Sequence, residues 1–407
     1  MIREFNKIWK PCAIGLVWFF ALLWPMMGIN GDGSLTFAAP FKVWLLVAAA
    51  VLVVMVLYSA NKSGALQAVK TPAAGLRDNL TGHAGKLPTW IWIALVGVVA
   101  LVYPSFTNRY AQDVAIMVLI YICLGLGLNV VVGLAGMLDL GYIAFYGVGA
   151  YAYALLNIHY GLSFWFSLPL AAFFASIAGC IIGYPTLRMR GDYLAIVTLA
   201  FGEIVRLILN NWMTLTNGPN GILGVKPPDF LLPVLEQGLS FEYIYIRKLH
   251  YLYYVALLLA IITMIGVYRL NHSRIGRAWE AIREDETAAE LMGVNTFLLK
   301  LLAYAMGAVF AGLAGAFFSA RMKFVSPESF TFLESAMVLC MVVLGGMASI
   351  PGIILGATVL IVLQELFREF ELYRMLVFGA AMVLMMLFRP AGLIPAKRMG
   401  RRSEEME

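Results

Sequence analysis

Residues 125–151 read GLGLNVVVGLAGMLDLGYIAFYGVGAY. The stretch is apolar enough for a lipid bilayer, yet Gly125, Gly127, Gly133, Gly136, Gly141, Gly147 and Gly149 interrupt it, along with the polar Asn129 and Asp139. In hydrocarbon every backbone N–H and C=O must find a partner inside the protein, so a lipid-facing chain is a helix or a closed barrel. Glycine at this density lets helices approach closely and lets a helix unwind. Unwound backbone is tolerated at membrane depth only where other segments bury it. The stretch therefore reads as part of a pathway that must open, and the run at 138–157 as a broken or re-entrant helix.

The rest of the chain agrees. Of 407 residues 62% are hydrophobic and 13% charged, against about 25% charged in soluble domains, and the mean hydropathy is +0.84. Apolar runs of the ~17 to 25 residues that an α-helix needs to cross a bilayer recur along the chain. They lie near 12–29, 41–60, 90–104, 111–133, 138–157, 164–186, 193–212, 250–268, 297–320, 332–349, 351–367 and 375–388. β-barrel alternation is absent. The fold class is an all-α polytopic membrane protein of about 10–12 membrane segments, including broken or re-entrant helices. The run at 351–367 opens with IPG and is the second candidate break. Residues 1–104 hold three plain N-terminal spans. Residues 105–395 form the transport core, and 396–407 a charged tail.

Counting Lys and Arg in the connections orients the chain. With the N-terminus in the cytoplasm, 19 of the 29 basic residues lie inside, including Arg188, Arg190, Arg274, Arg277, Arg283 and the cluster from Lys397 to Arg402. Both termini are then cytoplasmic. The inside bias accounts for the net charge of +6, so nucleic acid has no place among the partners. Cys12, Cys123, Cys180 and Cys340 stand singly in apolar runs and read as small buried residues. The four histidines are unpaired, so no metal site is proposed. The first apolar run is too long for a signal peptide and reads as an uncleaved helix.

Polar residues at membrane depth are costly and mark sites. Glu203 and Arg206, three apart in mid-span, share a helix face and are expected to pair. That pair reads as a neutralised staple first and a substrate contact second. Asp139 reads as a capping residue at a span end, or with Asn129 as part of a pathway or its gate. Gly345, Gly346, Pro351, Gly352 and Gly356 interrupt a second apolar region and loosely echo residues 125–149. Paired broken segments are a mark of inverted-repeat transporters, and that repeat stays open. Residues 213–249 contain TNGPNGI, aromatics and leucines, and suggest a short helix docked on the outer surface, with a partner there.

One segment is charged: SRIGRAWEAIREDETAAELMGV, residues 273–294. Ser273 suits an N-cap and Gly293 a stop. Ala278, Ala281, Ile282, Ala288, Ala289 and Met292 recur at helical spacing as one apolar face. Interfacial helices favour Lys and Arg, whereas here Glu280, Glu284, Asp285, Glu286 and Glu290 outnumber Arg277 and Arg283. Anionic lipid repels such a surface. A helix presented to a soluble cytoplasmic protein fits better.

Five segments carry a family resemblance, in order: GLGLNVVVGLAGMLDLGYIAFYGVGAY, RGDYLAIVTLAFGEIVR, TNGPNGI, GRAWEAIREDE and FVSPESFTFLESAMVLCMVVLGGM. Over residues 109–395 the chain resembles the LivM-type permease subunits of bacterial high-affinity branched-chain amino acid ABC transporters. The resemblance implies the type II ABC importer permease fold in the inner membrane. Implied partners are a LivH-like sister permease, two cytoplasmic ATPases of LivG and LivF type, and a periplasmic branched-chain amino acid binding protein. The chain lacks a Walker A pattern, so it binds no cofactor itself, and ATP and Mg belong to the ATPase subunits. The resemblance makes 273–293 the coupling helix, with Gly276, Arg277, Trp279, Glu280, Arg283, Glu284, Asp285 and Gly293 as ATPase-coupling residues. Asn129, Gly133, Gly136, Gly141, Gly345 and Gly346 are assigned to the translocation path or gate. Asn217, Asn220, Lys323 and Glu328 are assigned to binding-protein contact.

The resulting expectation is a transporter subunit, not an enzyme, that passes leucine, isoleucine or valine inward by alternating access. Urea or other neutral amino acids are alternative substrates within the family. An ion-coupled transporter using Glu203, Arg206 or Asp139 as a relay is the alternative outside it.

Overall fold

The computed structural model describes residues 100–366, except 190, 235–239 and 246–247, together with residue 97 and isolated positions between 379 and 395. The chain divides into two units, Met1–Val99 and Ala100–Glu407, and the second holds nearly all the described residues. The expected spans at 12–29 and 41–60, most of those at 90–104 and 375–388, and the tail at 396–407 lie outside the described residues.

The helices are α1 (Arg109–Asn129), α2 (Ile143–Tyr160), α3 (Phe164–Thr186), α4 (Asp192–Asn211), the single turn α5 (Met213–Thr216), α6 (Leu249–Asn271), α7 (Arg274–Glu284), α8 (Glu286–Leu291), α9 (Thr296–Met322), α10 (Phe332–Gly345) and α11 (Ile350–Leu366). Among the described residues six segments are long and apolar enough to cross a membrane: Arg109–Leu134, Phe164–Thr186, Tyr193–Asn211, Leu249–Asn271, Thr296–Met322 and Pro327–Gly345. Ile350–Leu366 is apolar but shorter.

The 27-residue α9 is the axis of the core, with α1, α2 and α3 packed around it. Its inner faces are small: Gly307, Ala308, Ala311, Gly312, Ala314, Gly315 and Ala316 are all buried. Small residues let backbones touch, which supplies the dispersion contact that replaces hydrophobic driving force in lipid. Gly149 of α2 meets Gly312 of α9, where a β-carbon on either would collide, the second with Ala175 of α3 at 2.6 Å.

The run expected at 138–157 begins as a helix only at Ile143. Residues 135–142 form an irregular connection, with Gly136 at φ +73° in a conformation that L side chains avoid. The Tyr142 hydroxyl donates to the Gly307 carbonyl at 3.0 Å, near the middle of α9. So α2 starts deep inside the bundle, in keeping with the glycine content of the segment.

At the end of the bundle where α9 finishes, Arg321 pairs with Asp113 of α1 at 2.6 Å. Two small sheets cover this end. β1 (Ile222–Leu223) pairs antiparallel with β4 (Phe324–Val325), and β2 (Asp229–Val234) pairs antiparallel with β3 (Ser240–Tyr245). The docked helix expected within 213–249 is corrected here: the segment is one short turn followed by this hairpin. In SFEYIY the aromatics Phe241, Tyr243 and Tyr245 recur with period two beside the β-branched Ile244, which suits a strand. Asp229 anchors the hairpin, its Oδ1 accepting from Phe164 N at 2.8 Å and Ser163 Oγ at 3.0 Å. A carboxylate at the positive end of α3 is favourable.

The seam between α2, α3 and α9 tolerates no added volume. Gly312→Val is expected to destabilise the protein by about 1–3 kcal/mol or more, the usual cost of overpacking. Ile181→Val, on an exposed position, is the control. Thermal melting of the detergent-solubilised protein checks this: a large downshift for Gly312→Val and almost none for the control.

Candidate functional site

The first break begins where α1 widens into a π-helical turn, Val130–Leu134. A π-turn shifts the hydrogen-bond register and often marks a functional point. Ala135 N donates to Val130 O at 3.2 Å and Met137 N to Val131 O at 3.1 Å. The carbonyl of Gly133 instead accepts from Arg283 Nη1, on α7. A guanidinium at the negative end of a helix satisfies an orphan carbonyl and the macrodipole together.

Three glycines of this break touch three different elements. A β-carbon on Gly133 would strike Asn129 Oδ1 and the amide of Ala348. On Gly136 it would lie 2.7 Å from the Arg283 side chain, and on Gly141 it would overlap the carbonyl of Thr198 on α4. Asp139 is buried, and its Oδ1 accepts from Gly141 N at 2.9 Å, so it organises the turn before α2. Ser335 Oγ accepts from Ile143 N at 3.0 Å and takes up one free amide of the α2 start.

The second break separates α10 from α11. Gly346 has φ +113° and Ala348 φ +66°, an unusual value for a residue with a β-carbon. Asn129 Oδ1 accepts from Ala348 N at 2.8 Å, while its own Nδ2 has no partner among the described residues. Asn129 is fully buried. Gly345 packs backbone to backbone on Gly352. Leu393 N and Ile394 N donate to Leu344 O and Gly345 O at 2.8 and 3.0 Å. Of the path residues expected from the sequence, Asn129, Gly133, Gly345 and Gly346 thus meet where the two breaks touch. Gly136 and Gly141 extend from that point toward α7 and α4.

Beside the first break lies the charged segment. The sequence suggests one helix over 273–293, but Asp285 divides it. Asp285 has extended backbone (φ −153°), ends α7, and caps α8 by accepting from Thr287 N at 2.8 Å and Ala288 N at 3.0 Å. An Asp side chain that bonds its own following amides competes with a continuous helix. Ser273 caps α7, accepting from Gly276 N at 3.2 Å, and Gly293 has the positive φ of a stop.

The coupling candidates fall on two sides of this segment. Gly276 and Trp279 are buried and Arg283 partly so, whereas Arg277, Glu280, Glu284, Asp285 and Gly293 are exposed. Gly276 lies against the last carbonyls of α6, Leu270 O and Asn271 O, where a β-carbon would collide. Trp279 is 0% exposed and donates Nε1–H to Leu299 O in the first turn of α9 at 2.7 Å. Glu286 adds an ion pair with Lys300 of α9 at 2.6 Å. The segment is clamped to the bundle by one face and bare on the other.

Sequence reasoning does not single out Leu291 and Met292, each 84% exposed at the tip of α8. Continuous periodicity places Met292 on the apolar inner face, but the change of direction at Asp285 leaves Ala289 as the buried residue of α8. Two adjacent large apolar side chains are thus bare beside Glu290.

Glu203 and Arg206 do pair, at 2.8 Å, with side chains 33% and 31% exposed. Their helix α4 is the barest of the six spans, with 22% of its apolar window buried. Glu203 borders a small cleft shared with Gly141, Ile143, Phe330, Phe332 and Ser335. At the far end, Asn217, Asn220, Lys323 and Glu328 are all exposed, and the β1–β4 pairing brings their two loops together. Asn217 holds φ +60° and donates Nδ2–H to Gly221 O at 2.9 Å. Among the described residues no three His, Cys, Asp or Glu side chains cluster for a metal.

The sequence is similar to known proteins. Residues 110–386 match the family described as branched-chain amino acid transport system, permease component. The chain is 50% identical over 313 residues to the high-affinity branched-chain amino acid transport system permease protein LivM of Salmonella typhimurium, covering 74% of each chain. It is 49% identical over 320 residues to LivM of Escherichia coli, covering 76% of this chain and 75% of the relative. LivH of Salmonella typhimurium is 26% identical over 67% of this chain and 91% of its own length. No solved structure matches the chain.

The clamp on α7 yields a test. Trp279→Ala removes a fully buried indole, a change that costs about 3–5 kcal/mol in cores, and α7 is expected to detach locally. Trypsin should then cut after Arg274 and Arg277 much faster than in the native protein, with Trp279→Phe intermediate because it keeps a ring but loses the Leu299 bond. Equal cleavage rates in all three would show that Trp279 does not hold the segment.

Proposed function

The chain belongs to the permease component family of branched-chain amino acid transport systems, and on that premise we propose how its parts divide the work of an ATP-driven importer. It pairs with a LivH-like sister permease through its bare membrane helices, α4 foremost. The α7–α8 segment lies on the cytoplasmic side, with both chain termini, in a bacterial inner membrane. There it docks on one of two ATPase subunits that carry ATP and Mg. A periplasmic binding protein delivers leucine, isoleucine or valine to the opposite end, at the loops of Asn217, Asn220, Lys323 and Glu328. Alternating access moves the substrate past the two helix breaks, where unwound backbone offers neutral hydrogen-bonding groups to an aliphatic amino acid.

The observation that carries this reading is the two-sided α7–α8 segment. Its inner face is fixed to α9 by Trp279 and Lys300. Its outer side exposes Arg277, Glu280, Glu284 and Asp285 along α7 and Leu291 and Met292 at the end of α8. A segment fixed on one side, with exposed large apolar residues and charges on the other, suits a docking surface for a protein partner.

Leu291→Glu places a charge at the centre of this contact without touching the buried clamp. ATPase co-purification is expected to fall by about tenfold or more, as for loss of a hot-spot residue, and uptake with it. Labelled leucine uptake into proteoliposomes holding both permeases and both ATPases should require ATP and the binding protein. It should ignore an ionophore that collapses ion gradients. Uptake by this chain alone, driven by an ion gradient, would overturn the reading.

A further inference from the structure

We infer that Arg283 is a positioning residue that ties the docking segment mechanically to both helix breaks, and not part of the surface that touches the ATPase. The inference rests on the reading of α7–α8 as the ATPase-docking segment and adds the route by which displacement leaves it. Arg283 turns away from the exposed face, passes beside Gly136, and donates to the carbonyl of Gly133 at the end of the π-turn. A side chain at Gly136 would block that passage, and the φ of +73° there already excludes most residues. One π-turn earlier, Asn129 accepts from the amide of Ala348 in the second break. The order is therefore α7, Arg283, Gly133, Asn129, Ala348.

Each link joins a moving part to backbone and not to another flexible side chain. A charge-assisted bond in a partly buried site is worth more than its counterpart in open solvent. The π-turn between Asn129 and Gly133 differs from the ordinary α register by one residue, and in the proposed relay these two registers are the two arrangements of the element. Such an element, biased from both ends, is what physical coupling between distant sites requires. Pulling on Gly133 O favours one register, and the position of Asn129 Oδ1 follows, and with it the left-handed Ala348 that divides α10 from α11.

The test uses the complete transporter in proteoliposomes and reads leucine transported per ATP hydrolysed, beside subunit stoichiometry. Arg283→Met keeps the length and removes the donors. It is expected to leave ATPase co-purification intact while transport per ATP falls at least about tenfold, as for loss of a charged hydrogen bond. Arg283→Lys, which keeps one charged donor, should recover part of it. Asn129→Ala should uncouple similarly, and the double variant should be no worse than either single, because links in series break once. Native transport per ATP in Arg283→Met, or additive losses in the double variant, overturns the inference. Loss of ATPase from Arg283→Met would place Arg283 in the docking surface and overturn it too. Should Arg283→Met fail to fold, hydrogen exchange on the native complex decides. ATP with vanadate should change protection at residues 130–137 and 346–350 together, and a change confined to the first sinks the relay. Failure of the docking reading itself is separate, because Leu291→Glu would then leave ATPase binding unchanged.

Discussion

A backbone carbonyl freed inside a membrane has no water to turn to, and the core of this protein is arranged around that constraint. Gly133 ends a helix inside the bundle, and its carbonyl is satisfied by a guanidinium from another segment. At the start of α2 the amide of Ile143 goes to Ser335 and that of Gly141 to Asp139. The amide of Ala348 goes to Asn129. Each partner is a polar side chain that would be out of place in a plain span, and each sits in or against a break. An unsatisfied amide or carbonyl costs several kcal/mol in hydrocarbon, roughly the scale of a domain's whole stability. The places of Arg283, Ser335, Asp139 and Asn129 are therefore set by where the helices stop.

Much of this is legible in the sequence, because glycine density and composition are strong signals. The membrane class, the break before α2, the second break near Gly346 and the Glu203–Arg206 pair all follow from residue type and spacing. The charged segment between α6 and α9 is equally plain. The misses have physical causes. Periodicity takes residues 273–293 as one helix, and only the local competition of the Asp285 side chain for its own amides divides it. That division turns Leu291 and Met292 outward. The hairpin at 229–245 reads as helix because leucine and aromatic content outweighs a short alternation. Arg283 reads as a surface charge because helical spacing places it beside Glu284 and Glu280. Its partner at Gly133 is far away in sequence and is a backbone atom, which no pattern of residue types reports.

The same geometry separates two kinds of glycine that a sequence writes alike. Gly136 and Gly346 are required by a positive φ, so their role is conformational. Gly149, Gly312 and Gly315 lie in regular helices and are required by what touches them. The first kind makes the chain able to turn. The second brings α2, α3 and α9 to backbone distance, where no larger residue fits.

That second kind has a mechanical consequence. Where long side chains interleave, a small displacement is absorbed by rotamer changes and dies out within a layer or two. A seam of glycine and alanine offers no such freedom, because packed backbones have no torsions left to yield. Among the described residues the α2–α3–α9 seam is therefore a part that cannot yield by rotamer change. By contrast α4, with 22% of its apolar window buried, shares little of that seam, so displacing it disturbs less packing than displacing the seam.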